Sequence, residues 1–228
     1  MAGAVVAAGL AQPAPAQIAG SLALQSDYRV RGDTISGNRP AAILDLSYDD
    51  PSGLYLGASV IGALDRGNDP ALLGAIGNVG YAARIGPGLS VDAGYTRTQY
   101  AHYVGAAHGY AHYDELYAGI TAHGLSAHVH VSPDYLRRDV STVYGELDGA
   151  LQPIDGWRLT GHIGVLGYLA QPRALSLHTR YDWRIGVARP IGRIDLHVAL
   201  TGGGPDDGCC RTHSYGRTAL IGGASIAF

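Results

Sequence analysis

The chain has 228 residues, of which 46% are hydrophobic and only 15% are charged, and its formal net charge is −3. Soluble domains carry about 25% charged residues, and a slightly acidic chain lacks the basic surface that nucleic acids require. The mean hydropathy is +0.04. The longest apolar run, residues 2–11, is shorter than the roughly 17–25 residues of a transmembrane helix. The alternating strands of a membrane β-barrel, in contrast, leave the mean hydropathy near zero.

The first residues have the pattern of an export signal. Residues 4–10 form a short apolar core, and Ala14-Pro15-Ala16 resembles a signal-peptidase cleavage site. We therefore interpret residues 1–16 as a signal peptide or its remnant, and residues 17–228 as the barrel. No basic residue precedes the apolar core, so a flexible tail rich in Ala and Pro is the alternative.

Short alternating segments separated by turn residues fill the rest of the chain. They predict twelve strands, at 18–31, 39–48, 53–62, 74–84, 88–98, 113–122, 124–132, 140–151, 156–168, 178–188, 193–201 and 214–228. Five short connections, at 49–52, 85–87, 123, 152–155 and 189–192, alternate with six long ones, at 32–38, 63–73, 99–112, 133–139, 169–177 and 202–213. Outer-membrane barrels have short periplasmic turns, longer extracellular loops and an even number of strands. The sequence therefore predicts an all-β fold, a single antiparallel transmembrane β-barrel of twelve strands.

Apolar and polar side chains alternate along single strands. In the segment 124–132, for example, Leu125 and Val129 share one face, and His128 and His130 share the other. Lipid accepts only apolar side chains, whereas a wet lumen accepts charge. Aromatic residues near the strand ends predict interfacial girdles, at Tyr48, Tyr81, Trp157 and Phe228 on the turn side and at Tyr28, Tyr95 and Tyr181 on the loop side.

Phe228 is the only phenylalanine, and it ends an alternating run that includes Leu220 and Ile226. A strand with an apolar outer face and a terminal aromatic is typical of outer-membrane barrels, and the barrel-insertion machinery is thought to recognise it. We therefore expect this machinery, outer-membrane lipid and lipopolysaccharide as partners of the chain. A homo-oligomer or a protein partner at the loops is left open, and no nucleic acid is expected.

Several segments resemble a proteobacterial family, the TorF porins. The clearest is residues 26–32, Ser-Asp-Tyr-Arg-Val-Arg-Gly, followed by Thr34 and Ser36. This segment departs from the family pattern at Val30, where an aromatic is usual, and at Asp33-Thr34. Weaker similarities lie at residues 53–57, 113–119, 132–135 and 181–187. The resemblance implies an outer-membrane barrel of poorly defined function, and it supplies no catalytic residues.

Charged and histidine side chains on the inward faces are the candidate pore lining. Asp27, Arg29 and Arg31 share the inner face of the first predicted strand near its extracellular end. They would form either a charged constriction that selects solutes or a lattice of ion pairs that holds the wall together. The histidines would form either a pH-dependent gate or ordinary hydrogen bonds. The complete candidate set is Asp27, Arg29, Arg31, Asp45, Asp92, Glu115, His128, His130, Arg158, His162, Arg180 and Arg184. Glu146, Asp148 and Asp182 are also predicted to point inward.

The third long loop contains the unit Tyr-Ala-His-Tyr twice, and it supplies the weak metal candidates His102, His108 and His112. Three imidazoles in one loop would suit Zn²⁺ or Cu²⁺. An aromatic, polar loop that folds into the pore or interacts at the surface is the alternative, and we predict no cofactor.

The adjacent cysteines Cys209 and Cys210 would form a strained vicinal disulfide or stay as free or capped thiols. With His213 they are a weak candidate for a soft metal.

Some outer-membrane barrels are lipases or deacylases with a Ser–His pair on the lipid-facing wall. Thr212-His213-Ser214 is the nearest match, but adjacent residues of a strand point to opposite faces. We therefore expect no enzyme. The favoured function is a porin-like channel for passive diffusion of small hydrophilic solutes or ions across the outer membrane of a Gram-negative bacterium. The alternative is a plugged structural or interaction barrel that presents its loops to a partner.

Overall fold

The computed structural model describes residues 16–65, 67, 69–101, 111–173, 177–205 and 218–228. Twelve strands form one closed antiparallel barrel: β1 (Gln17–Gln25), β4 (Ala41–Asp49), β5 (Leu54–Leu64), β6 (Pro70–Gly86), β7 (Leu89–Tyr100), β8 (Ala111–Ala122), β9 (Leu125–Ser132), β10 (Ser141–Ile154), β11 (Trp157–Ala170), β12 (Arg180–Ile191), β13 (Ile194–Gly204) and β14 (Ala219–Ala227). Two short strands, β2 (Arg29–Val30) and β3 (Asp33–Thr34), form a separate hairpin between β1 and β4. The predicted fold class and number of barrel strands are confirmed.

The connections are short at one end of the barrel, the turn end, and long at the other, the loop end. Two to four residues join the strands at the turn end, at 50–53, 87–88, 123–124, 155–156 and 192–193. His123 and Gly124 have φ angles of 50° and 82°, which match a two-residue type I′ hairpin turn. The predicted order of short and long connections is confirmed, although the loop predicted at 63–73 is shorter because β5 and β6 extend into it.

The outer surface of the barrel is apolar and exposed. Strand residues such as Leu116, Ile163 and Leu220 have exposed fractions of 66%, 59% and 70%. An apolar surface of this extent is unstable in water and suits the hydrocarbon of a bilayer. Within the described ranges, no helix has the length and hydrophobicity to cross a membrane.

The first predicted strand is too long, and this is the main correction to the predicted fold. β1 ends at Gln25 instead of residue 31, and residues 26–40, here called loop 1, leave the wall and fold into the lumen. The apolar–polar alternation continues through residues 26–31, so no local signal marks the end of the strand. Contacts with distant strands hold the segment inside the barrel.

A packed apolar core lies in the lumen at the loop end. Ile35 of loop 1 is buried there against wall residues that include Ile43, Ile61 and Tyr113. Tyr28, which was predicted to belong to an interfacial girdle, packs against this core instead. Tyr81, Trp157, Phe228, Tyr95 and Tyr181 are exposed on the outer surface, as the girdle prediction requires.

The barrel closes where β14 pairs with β1, with Leu22 opposite Ile226. Beyond the last residue of β14, the backbone N–H and C=O of Phe228 each form a 2.9 Å hydrogen bond with Gly20. The Phe228 ring lies over Gly20, where a Cβ atom would come within 2.5 Å of the ring carbon Cε2. Glycine at position 20 therefore leaves room for an aromatic ring across the seam.

Candidate functional site

Asp27 holds loop 1 in its hairpin shape, and its exposed fraction is only 5%. Its Oδ2 accepts a hydrogen bond from Arg29 Nε at 2.5 Å. Its Oδ1 accepts from the hydroxyls of Thr34 at 2.5 Å and Ser36 at 2.9 Å, and from the backbone N–H of Asn38 at 3.2 Å. Because a buried carboxylate is tolerated only with such partners, Asp27 organises the loop rather than facing a solute.

Arg31 joins loop 1 to strand β8 across the lumen. Its Nη2 atom donates to both carboxylate oxygens of Glu115 at 2.9 Å. The guanidinium carbon also lies 4.0 Å from the ring centroid of Tyr144 and 5.0 Å from that of Tyr135. A buried cation that is paired and stacked in this way fixes the position of the loop.

The tip of loop 1 contacts strand β12. Gly32 has a φ angle of 80°, and a Cβ atom there would come within 2.9 Å of the Asp182 Cβ, so only glycine fits at this approach. Asp33 accepts a hydrogen bond from the guanidinium of Arg180. Burial raises the pKa of Asp33 from 3.8 to about 6, although Arg180 acts in the opposite direction. Loop 1 thus spans the lumen from its base on β1 and β4 to β8 and β12.

A network of histidines and carboxylates lies on the inner wall next to loop 1. Asp148 contacts His162 Nδ1 at 2.9 Å, and Asp182 contacts His162 Nε2 at 2.8 Å. Tyr144 is 3.1 Å from the same nitrogen and donates to Asp182. An imidazole between two carboxylates is the geometry of an ion-paired imidazolium. These groups therefore connect strands β10, β11 and β12.

His130 continues this network onto the neighbouring strand. Its Nε2 lies 3.1 Å from Glu146 Oε1, and its Nδ1 lies 4.0 Å from Glu115 Oε2. Glu115 is the partner of Arg31, so the histidine network and loop 1 share a carboxylate.

A second group of polar side chains lines the wall closer to the turn end. Asp92 accepts a hydrogen bond from the Tyr55 hydroxyl at 3.1 Å and lies 3.3 Å from His128 Nε2. Tyr55 and Tyr117 share a hydrogen bond of 2.5 Å. Asp45 accepts from its cross-strand neighbour Ser59 at 2.5 Å. The Asp45–Ser59 contact joins the neighbouring strands β4 and β5, whereas the other contacts join β5 to β7 and β8, and β7 to β9, across the lumen.

A cavity of about 490 Å³ extends from loop 1 toward the turn end of the lumen. Arg29, Arg31 and Glu115 lie at its upper limit, and Arg158 and Asp195 lie near the turn end. Arg158 pairs with Asp195 at 2.5 Å. Arg184 also lines this cavity and is exposed within it. Charged side chains therefore line a cavity inside a barrel whose outside is apolar.

A family model described as "Bacterial protein of unknown function (Gcw_chp)" matches residues 10–204. The chain belongs to this family. No curated protein sequence matches it. The resemblance to the TorF porins stays a prediction.

Three solved structures share the fold of this family member. The KdgM porin is 12% identical with a TM-score of 0.55, and the match covers 92% of this chain and 98% of that chain. The KdgM porin in complex with disordered oligogalacturonate is 11% identical with a TM-score of 0.54, with coverages of 92% and 98%. The NanC porin is 10% identical with a TM-score of 0.52, with coverages of 90% and 97%. At these identities the likeness concerns the fold, which is that of a porin-like barrel.

The metal candidates of the third long loop stay a prediction. His112 is exposed on β8, and His102 and His108 lie outside the described residues. Among the described residues, the ligand atoms of Glu146, Asp148 and His162 lie within 4.8 Å of one another. Both nitrogens of His162 already contact carboxylates, so this group fits an ion-paired imidazole better than a metal site.

The structure places every candidate pore-lining residue in loop 1 or on the inner wall, and their role in transport stays a prediction. Asp27, Arg29 and Arg31 reach the lumen from loop 1 instead of the first strand, which corrects their predicted location. Residues 1–15, Cys209, Cys210 and the Thr212–Ser214 segment lie outside the described residues.

Sequence reasoning missed Asp33 and Tyr144. Asp33 was assigned to an external loop. Tyr144, however, shares the inward alternation of Glu146 and Asp148 on β10, and this pattern would have identified it.

Proposed function

We propose that this protein is an outer-membrane porin-like channel for passive diffusion of small hydrophilic solutes or ions, with loop 1 as its constriction. The observation that carries the proposal is the charged cavity of about 490 Å³ between loop 1 and the turn end of the barrel. Charged side chains in a barrel interior are stable when water or partner charges solvate them. Exclusion by size at loop 1 and weak electrostatic filtering by the lumen charges would then select the solutes.

The fold comparison supports this proposal at a coarse level. KdgM and NanC are porins with the same barrel architecture. The KdgM porin is known in complex with disordered oligogalacturonate. For this chain we take over only the general idea that a hydrophilic solute enters the lumen. The proposed mechanism requires no covalent step, so no catalytic residue is assigned.

The proposed location is the bacterial outer membrane. The exposed apolar side chains of the strands would contact lipid and lipopolysaccharide, and exposed aromatics such as Trp157 and Tyr181 would lie at the interfaces. We also propose that the insertion machinery recognises the strand that leads to Phe228. If the chain binds a second copy or another protein, we propose that it does so through the loop end.

Deleting the constriction tests the proposal. We would compare single-channel currents of the wild type with those of a variant in which residues 27–39 are replaced by a short Gly-Ser linker. We expect steady current steps from both proteins and a larger conductance from the variant, because loop 1 crosses the lumen. Heat-modifiable migration on gels is the control that both proteins are folded. Silence from both folded proteins would overturn the channel.

A plugged barrel is the second candidate, and the anchoring of loop 1 favours it. Arg31 and Asp33 attach the loop to two separate strands, and Ile35 is buried in the apolar core. The same experiment separates the two candidates. A silent wild type with a conducting deletion variant would support the plugged barrel, in which loop 1 closes the lumen under the conditions of the measurement.

A further inference from the structure

Arg184 differs from the other lumen arginines in its partners. Within the described ranges, Arg29 pairs with Asp27, Arg31 with Glu115, Arg158 with Asp195 and Arg180 with Asp33. Arg184 forms no ion pair or hydrogen bond with the described residues, although it lines the cavity. Two carboxylates of the neighbouring wall, Asp148 and Asp182, are already occupied by His162. The charge of Arg184 still interacts with that of Asp148. Because no carboxylate in the described ranges forms a hydrogen bond with its guanidinium, the N–H donors of Arg184 are available to a solute.

The wall next to Arg184 has a floor of small residues. Arg184 on β12 lies opposite His162 on β11 and Thr201 on β13. The next inward position on β12 is Gly186, and the one after it is Ala188. On the neighbouring strand β13, Ala199 lies opposite Gly186 and His197 lies opposite Ala188. These small residues line the cavity, and their part of the inner wall is here called the depression. Ala188 and Ala199 are only 5% and 9% exposed, so the longer side chains around them form most of its accessible surface.

Polar groups surround this depression. Thr160 of β11 lies opposite Gly186, and its hydroxyl has no hydrogen-bond partner among the described residues. His197 of β13 lies opposite Ala188 at the lower edge and lines the same cavity. The depression extends across three adjacent strands and along four residues, which is an area of roughly 10 by 13 Å. A small organic acid or a sugar acid fits within this area. The depression thus combines one unpaired cation, one free hydroxyl and one imidazole.

We propose that Arg184, Thr160 and His197 form a lumen subsite for the carboxylate group of a small anionic solute. A guanidinium presents parallel N–H donors that match a carboxylate, and such charge-assisted pairs are among the stronger hydrogen bonds. A neutral solute of the same size gains no such pair, so the subsite favours anions over neutral molecules. This inference depends on the proposed function only in that the solute must enter the lumen to reach the subsite.

Binding of glucuronate to the folded, detergent-solubilised protein tests the subsite independently of conduction. Saturation-transfer NMR titrations would compare glucuronate with glucose, which lacks the carboxylate. The variants are Arg184→Gln and, as a matched control, Arg193→Gln in the exposed turn between β12 and β13. We expect glucuronate to bind the wild type and R193Q equally, and R184Q about tenfold more weakly. Thr160→Ala should weaken glucuronate binding without affecting folding.

The outcomes separate the subsite from the channel. Absence of glucuronate binding, equal binding of glucose, or equal affinities of R184Q and R193Q would overturn the subsite even if the protein conducts. Binding that depends on Arg184 would support the subsite even in a barrel that is silent in bilayers. If R184Q does not fold, Arg184→Lys replaces it in the experiment, because lysine keeps the positive charge and lacks the paired N–H donors of the guanidinium. We expect R184K to bind glucuronate more weakly than the wild type, and an unchanged affinity would count against the subsite.

Discussion

Arg31 and Glu115 form an ion pair that is largely buried between loop 1 and the wall. Their side chains are 10% and 5% exposed, and the rings of Tyr135 and Tyr144 cover the guanidinium. Removing one member of such a pair leaves the other buried and without a counter-charge, which costs about 3–5 kcal/mol. The pair also joins residues 84 positions apart in the chain, so its loss acts on the position of loop 1 as well as on stability.

We expect Arg31→Met to lower the free energy of unfolding by about 3–5 kcal/mol, because Glu115 is left buried without its partner. Urea unfolding of the folded protein in detergent measures this change. The double variant Arg31→Met/Glu115→Gln should recover most of the loss, since it removes both charges. A double variant no more stable than R31M would show that stacking on the tyrosines, instead of charge pairing, holds the loop.

The hairpin of β2 and β3 lies inside the lumen and narrows the barrel. Asp33 at its tip has a pKa of about 6, raised by burial from 3.8. The folded protein therefore binds this proton more tightly than the unfolded chain does. The contribution of Asp33 to stability is fully present below pH 3.8 and is lost as the pH rises to about 6.

We expect the free energy of unfolding of the wild type, relative to Asp33→Asn, to fall by about 3 kcal/mol as the pH rises through this window. Other groups titrate in both proteins and cancel in the difference. Urea unfolding at a series of pH values measures it. A difference that stays constant with pH would mean that Asp33 keeps its ordinary pKa in the folded protein.

Most of the strands could be predicted from the sequence, whereas the path of loop 1 could not. The strands follow from alternation and from turn residues such as Gly124, which are local signals. The end of β1 could not be predicted, because residues 26–31 keep the alternation of a strand. Contacts of Arg31 and Asp33 with β8 and β12 decide the path of loop 1, and no local pattern reports them. The alternation also located Arg184 on the inner face, but not its lack of a partner.

Closure of the barrel depends on the seam between β1 and β14. The Phe228 ring lies over Gly20 on the outer surface, and its backbone forms two hydrogen bonds with the same residue. A side chain at position 20 would therefore displace the ring from the seam. The effect belongs to the whole molecule, because a barrel with an open seam has two unpaired edges in lipid.

We expect Gly20→Val to destabilise the wild type by about 1–3 kcal/mol, because overpacking forces the ring away. In a Phe228→Ala background the same substitution should cost less, since valine would occupy the space of the ring. Urea midpoints of the four proteins measure the coupling. Equal costs in both backgrounds would show that the ring does not lie over Gly20.

Loop 1 also constrains the order in which the molecule folds. It precedes eleven of the twelve barrel strands in the chain, yet its partners Glu115 and Arg180 lie 84 and 147 residues from their counterparts in the loop. Contacts of such high sequence separation form only after the intervening chain is ordered, and they slow folding. Until β8 and β12 join the sheet, Arg31 and Asp33 have no partners and remain solvated. Loop 1 is thus the first loop of the barrel in the chain, yet it takes its final position only after β12 has joined the sheet.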